Sequence, residues 1–229
     1  SLIDNWLQDP EVVAWMKTHD FATTKEVFLF FMNEIEKIIN RLDKQMVTWD
    51  DAFAFNPEEA TQATVMSWRG ASIAKTALEH GREVIQGPVF PTYFDYSQEV
   101  SADEPLAIGG PVTLEDVLAF SPLPRVTGVQ FQLWTEYIQS PVHAEYMMWP
   151  RAAALAFRCW SNEDDFESYF NNRRPQLEEL GVTIREIDPL KRANIAHLGT
   201  GVFYKGFDTR EMMSALEKSA EAGEVAHDF

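Results

Sequence analysis

Apolar positions along the chain first recur at helical spacing. PEVVAWMK follows Asp9, a capping residue whose next neighbour, Pro10, suits the first position of a helix, and the pattern breaks at His19-Asp20. Thr23 and Glu26 then have capping-box spacing. Phe28, Phe31, Ile35, Ile38, Ile39 and Leu42 return every three or four residues, which predicts a long amphipathic helix to about Leu42. Short apolar runs come next, separated by helical patterns. QMVTWDD at Gln45 to Asp51 has strand character at its centre, TVMSWRG from Thr64 is a second strand candidate, and ASIAKTALEHG is a helix stopped by Gly81. REVIQGP from Arg82 and VTGVQFQLW, ending at Trp134, are the third and fourth candidates. Between them, Thr92 to Arg125 is rich in proline, glycine and acid, with a short helix expected at TLEDVLAF; loops of this length are often functional. Two helices are expected over roughly 142–160 and 163–180. Strands alternating with helices predict parallel βα units. From about Ile184 the pattern fades, and one helix near 209–222 is expected in what reads as a C-terminal extension.

Composition narrows the function classes. With 229 residues, 45% hydrophobic content and seven tryptophans, the chain can bury a sizeable core. A formal charge of −17 and the lack of a basic, aromatic-interleaved stripe argue against nucleic acid and anionic membrane surfaces as partners. The single cysteine, Cys159, excludes an internal disulfide framework, and the five scattered histidines offer no metal-ligand cluster, so no metal or cofactor is expected. No run has the apolar length of a transmembrane span, and SLIDNWLQDP lacks the form of a signal peptide. The compartment stays open, with the cytoplasm slightly favoured.

The ends of the strand candidates carry the chemistry. Residues two apart on a strand point the same way, which puts Gln130, Gln132, Trp134 and Glu136 on one side of the fourth and Val129, Phe131 and Leu133 on the other. Tyr93 and Asp95 repeat the spacing. Trp49 with Asp51 ends the first candidate, and Trp68 ends the second. In parallel α/β folds this carboxyl edge is where ligands sit, and aromatic faces beside carboxylates suit a sugar. Singly, each has a plainer role as packing, rim or helix cap. His80 and His143 read as ordinary helix-end and loop residues, Met147-Met148 as core filler, Asp103-Glu104 as a solvated loop, and Arg151 as a surface arginine near a helix start or the partner of a buried acid.

In their order and spacing, VTWDD, VMSWRG, GPVFPTYFDY, ADEPLAIGG, GVQFQLWTEY and EYMMWPRAAALAFRCWS resemble the second half of the catalytic domain of glycoside hydrolase family 20, the β-N-acetylhexosaminidases. The resemblance covers about Ser1 to Pro189 and implies an α/β fold, half of a (β/α)8 barrel comprising strands five to eight, with 190–229 as an extension. It implies exo-acting, substrate-assisted retaining hydrolysis, in which the 2-acetamido oxygen of a terminal N-acetylhexosamine is the nucleophile. By motif, Tyr93 would orient the acetamido carbonyl, Trp49, Trp68 and Trp134 would wall the acetyl pocket and the sugar face, and Asp95 and Glu136 would hold hydroxyls.

Two departures accompany the resemblance. The family's His-x-Gly-Gly-Asp-Glu motif, which supplies the general acid, is not in this sequence; SLIDNW resembles the segment immediately downstream of that motif, so the acid pair and a strand-one arginine are expected outside this chain, which alone is expected to be inactive. Phe157 stands where the pattern PR-x-x-A-x-A-E has glutamate. A half-barrel would expose two sheet edges, so a complementary half is expected: an upstream segment, a separate chain or a second copy. Three readings stay open: the hydrolase, a sugar-binding relic without turnover, and a structural assembly module.

Overall fold

The structure, a computed structural model, describes residues 2–101, 104–187 and 214–218. It forms two compact units. The first comprises the described residues of 2–86, 123–128 and 214–218; the second comprises those of 87–122 and 129–187.

The first unit opens with a 3-10 helix, Leu2–Gln8, followed by α1 (Pro10–Thr18) and α2 (Thr24–Arg41). Asp9 accepts the Glu11 amide at 2.8 Å. Thr23 and Glu26 close the expected capping box: the Glu26 amide donates to the Thr23 hydroxyl at 3.2 Å, and the Thr23 amide to the Glu26 carboxylate at 2.8 Å. Strand β1 (Val47–Trp49), α3 (Asp51–Phe55), β2 (Thr64–Ser67), α4 (Ala71–Glu79) and β3 (Val84–Gln86) then alternate. Pairing is parallel, with Trp49 beside Met66 and Ser67 beside Gln86. Strand β2 is covered on both faces at its start, where the neighbouring Thr64 and Val65 are 4% and 2% exposed. Its apolar side meets Phe53, Ile73 and Ala77 in the core. The described part of the expected C-terminal helix, 214–218, is helical; the rest of 209–222 lies outside the described residues. Leu216 is fully buried, and the Ala71 amide donates to Glu217 at 3.3 Å.

The second unit contains α5 (Val89–Thr92), a turn kinked at Phe90 and Pro91, and α6 (Leu114–Ala119), capped by Thr113 and Asp116. Strand β4 (Gly128–Val129), whose first residue is the last of the 123–128 segment of the first unit, is the fourth in the strand order β1-β2-β3-β4. It is followed by α7 (Pro141–Met148), α8 (Arg151–Trp160), α9 (Phe166–Asn171) and α10 (Arg174–Glu179). The fourth strand is much shorter than the expected run to Trp134. Gly87 and Pro88 end β3: a Cβ on Gly87 would lie 3.2 Å from the Gln130 carbonyl, and Pro88 has no N–H to give a ladder. Pairing resumes at one parallel bridge, Tyr93 to Gln132. The helix expected over 142–160 is divided, because Pro150 cannot continue the hydrogen-bond ladder of α7, and Pro175 similarly opens α10 within the second expected helix.

Candidate active site

In the first unit, Trp49 ends β1 and Trp68 directly follows β2, both half-buried. Asp50, directly after Trp49, is wholly buried. Its Oδ2 accepts the backbone N–H groups of Trp68 at 2.9 Å and Arg69 at 3.2 Å. The Arg69 guanidinium, also fully buried, stands 3.5 Å from Asp50 and bonds Asp51, whose other oxygen accepts the Trp68 indole N–H at 3.3 Å. Burial pushes the Asp50 carboxyl up to about 7 against the opposing pull of Arg69. The cluster thus fixes both the backbone and the ring of Trp68, leaving an indole held from its N–H side with Arg69 over the ring at 5.1 Å.

In the second unit, Tyr93, Asp95, Trp134 and Glu136 come together. The Phe94 amide donates to Gln132 O at 2.7 Å and the Gln132 amide to Thr92 O at 2.9 Å, which sets Tyr93 beside Gln132. Two residues on, the Trp134 amide donates to the Asp95 carboxylate. The second Asp95 oxygen, Oδ1, is buried with no hydrogen-bond partner among the described residues. Burial raises the Asp95 carboxyl to about 7; its own amide, the Trp134 amide and Arg151 counteract, and Glu136 adds to the rise. Tyr93 is 8% exposed and Asp95 6%, whereas Trp134 is 44% exposed and Glu136 lies on the surface. The Tyr93 and Tyr96 rings meet edge to face at 6.4 Å, and burial followed by Asp95 raises the Tyr96 phenol. Chemically, the cluster offers an indole plate, a phenol and two carboxylates of different solvation, a set suited to a polyol with one apolar face.

Three residues differ from the sequence reading. Arg151, read as a surface arginine or the partner of a buried acid, is fully buried; it feels the charges of Glu104 and Asp95 but donates to backbone carbonyls, including Phe94 O at 2.6 Å and Tyr96 O at 3.0 Å. An arginine opening an otherwise apolar helix, RAAALAF, is the available signal. Glu104, expected in a solvated loop, is 3% exposed and accepts from Tyr146 Oη at 2.9 Å and Arg185 at 2.8 and 3.0 Å; Asp103 lies outside the described residues. His143 is buried within α7, and burial lowers its pKa. Phe157 is 4% exposed and packs against Phe166 and Tyr169, with ring centroids 5.5 and 5.0 Å apart, so its site is apolar rather than a vacated polar contact.

Elsewhere in the second unit, Trp160, Asn162, Glu163, Tyr169 and Arg173 line an open hollow of ≈ 410 Å³ that contains none of the expected site residues. Among the described residues no group of three or more His, Cys, Asp or Glu could hold a metal ion, and no helix is long and apolar enough to cross a membrane.

Residues 2–163 match the family model described as glycosyl hydrolase family 20, catalytic domain. A β-hexosaminidase of Porphyromonas gingivalis is 32% identical over 168 residues, which cover 69% of this chain and 21% of that protein. One of Vibrio furnissii is 28% identical over 162 residues, covering 66% and 26%. Among solved structures, the family 20 exo-β-N-acetylglucosaminidase of Vibrio harveyi in complex with N-acetylglucosamine superposes with a TM-score of 0.72 at 27% identity, covering 79% of this chain and 31% of that one. The β-N-acetylhexosaminidase of Streptomyces coelicolor gives 0.59 at 25% identity, covering 73% and 37%. The chain therefore spans about a fifth to a quarter of the length of these two curated relatives. With its parallel α/β sheet and a match that runs through every strand and both aromatic-acid clusters, this chain belongs to glycosyl hydrolase family 20.

Proposed function

We propose that the chain supplies the sugar-holding side of an exo-acting β-N-acetylhexosaminidase, which removes terminal N-acetylglucosamine or N-acetylgalactosamine by substrate-assisted, retaining hydrolysis. The observation that carries this reading is the placement of Tyr93, Asp95, Trp134 and Glu136 on two segments joined by the Tyr93–Gln132 bridge and by the Trp134 amide on the Asp95 carboxylate. In this mechanism the acetamido oxygen attacks the anomeric carbon, an oxazolinium ion forms as the aglycone leaves, and water opens it with net retention. Tyr93 donates a hydrogen bond that holds the acetamido carbonyl in line. Trp134 covers the sugar's C–H face, while Asp95 and Glu136 accept from its hydroxyls. For Trp49 and Trp68 the reading rests on the family alone, which assigns them apolar contact with the acetyl group. The general-acid Asp-Glu pair belongs, in this proposal, to another segment, and the chain alone is inactive.

Family 20 catalytic domains are TIM barrels. The chain would then contribute strands five to eight, completed by an upstream segment, a separate chain or a second copy. Two features support this. Strand β1 is a sheet edge with Val47 48% exposed, and α2 presents Phe31, Ile38 and Leu42 to solvent at 54, 50 and 65%. Apolar surface of this kind commonly marks an interaction face.

The test uses a chromogenic N-acetyl-β-glucosaminide and the native protein. Tyr93→Phe should lower kcat by about a hundredfold, the scale of a misaligned nucleophile, with binding of N-acetylglucosamine changed by less than about threefold. Equal losses in kcat and affinity remove Tyr93 from this role, and a native protein that neither binds nor cleaves the sugar defeats the whole reading. Light scattering on the 229-residue chain tests its completion: a well-folded monomer contradicts the half-barrel.

A further inference from the structure

We infer that Arg151 is a positioning residue for the Tyr93–Asp95 segment, holding the backbone on both sides of Asp95 with a single guanidinium. The inference rests on the functional reading above and assigns to it a residue that touches no sugar.

Arg151 opens α8 and has no exposed surface, yet among the described residues it makes no direct ion pair. A buried cation is costly unless its donors are satisfied, and here carbonyl oxygens satisfy them. Nε and one terminal nitrogen donate to Met147 O, at 3.1 and 2.6 Å. That same terminal nitrogen also donates to Phe94 O at 2.6 Å, while the other donates to Tyr96 O at 3.0 Å and Val112 O at 2.8 Å. Phe94 O and Tyr96 O belong to residues on either side of Asp95. The Phe94 ring lies over the same guanidinium at 4.7 Å and stacks on Phe131 at 4.8 Å.

The consequence is geometric. After its single bridge, Tyr93 to Gln132, the chain turns at Phe94 and Asp95, so no sheet ladder fixes the carbonyls around Asp95. Arg151 substitutes for the missing ladder, anchoring the segment to the end of α7 through Met147 and to the loop before α6 through Val112. Rotation of Asp95 about its backbone would break two of these bonds together. Lysine cannot reproduce the arrangement, because an ammonium is a point charge and lacks the planar fork that reaches four carbonyls at once.

A double-mutant cycle in the native protein tests this, with kcat/KM on the chromogenic substrate and N-acetylglucosamine affinity as readouts. Arg151→Lys should cost about a hundredfold in kcat/KM, the scale of a misplaced contact. Asp95→Asn alone should cost about tenfold to a hundredfold, the range for a hydrogen bond to a charged group. In the Arg151→Lys background the same Asp95 change should cost less than about threefold, because the carboxylate is no longer aimed. Additive losses overturn the inference, as does an Arg151→Lys protein that melts lower but keeps full kcat/KM. Where Arg151→Lys fails to fold, Arg151→Gln takes its place: its amide can serve at most part of the carbonyl set that the guanidinium holds, and an undiminished Asp95→Asn effect in that background also overturns the inference. A wild-type protein without binding or turnover would instead remove the functional reading on which this one stands.

Discussion

Replacing Asp95 by asparagine should make stability less sensitive to pH. The carboxyl is 6% exposed, receives the Trp134 amide on one oxygen and has no partner among the described residues for the other. Burial therefore favours the neutral acid, and the carboxyl titrates near about 7 rather than at 3.8. The folded protein then binds this proton more tightly than the unfolded chain does. Between those two values the unfolded chain has released a proton that the folded protein retains, so unfolding becomes easier as pH rises. A displacement of about three pH units at about 1.4 kcal/mol each corresponds to about 4 kcal/mol, an upper limit if water reaches the rim. The contribution is fully present below about pH 4 and lost once the pH passes about 7. Urea unfolding of the native protein and Asp95→Asn at intervals from about pH 4 to 8 measures it. The difference between the two should change by up to about 4 kcal/mol in favour of the variant as pH rises. Asp50, also raised to about 7, is present in both proteins and cancels. Parallel profiles across the window would refute the assignment of a desolvated carboxyl to Asp95.

Other perturbations reach different parts of the account. Glu136→Gln should weaken N-acetylglucosamine binding about tenfold by replacing a charge-assisted acceptor, with little change in melting temperature; unchanged affinity by calorimetry removes Glu136 from the site. Glu104→Gln removes one of the two carboxylates paired with the buried Arg185, leaving Glu99 at 3.1 Å, and should destabilise by about 2 kcal/mol in urea unfolding, whereas a loss below about 0.5 kcal/mol contradicts the structural role given to that pair. Ile38→Glu, on the exposed apolar stripe of α2, should lower the melting temperature of the native protein by several degrees if that stripe is covered there; a neutral result shows that it faces solvent.

The elements legible in the sequence are those with local causes. Thr23 and Glu26 announce the start of α2, Asp9-Pro10 that of α1, and short β-branched runs locate β1 to β3. The pattern of the fourth strand overstates its length because VTGVQFQLW alternates well on its own, while its extent is decided by the partner: Gly87 and Pro88 remove the ladder that Phe131 to Trp134 would need. The spacing of Tyr93 with Asp95 and of Trp134 with Glu136 picks out four side chains that the bridge at Gln132 gathers. Arg151 and Glu104 escape a local reading for a shared reason. Charged residues are buried only when distant groups satisfy them, and the carbonyls of Phe94 and Val112, or the hydroxyl of Tyr146 and guanidinium of Arg185, lie far from them in sequence. The Asp50–Arg69–Asp51 cluster illustrates the same limit, since WDD and WRG identify aromatics but not the carboxylate that fixes the Trp68 ring.

A crystal structure of the native protein with N-acetylglucosamine is the most direct test. The predicted result is a sugar whose acetamido oxygen lies about 3 Å from the Tyr93 hydroxyl, whose ring rests on the Trp134 indole and whose hydroxyls reach the Asp95 and Glu136 carboxylates. A sugar bound away from these four side chains, or none bound at saturating concentration, would contradict it.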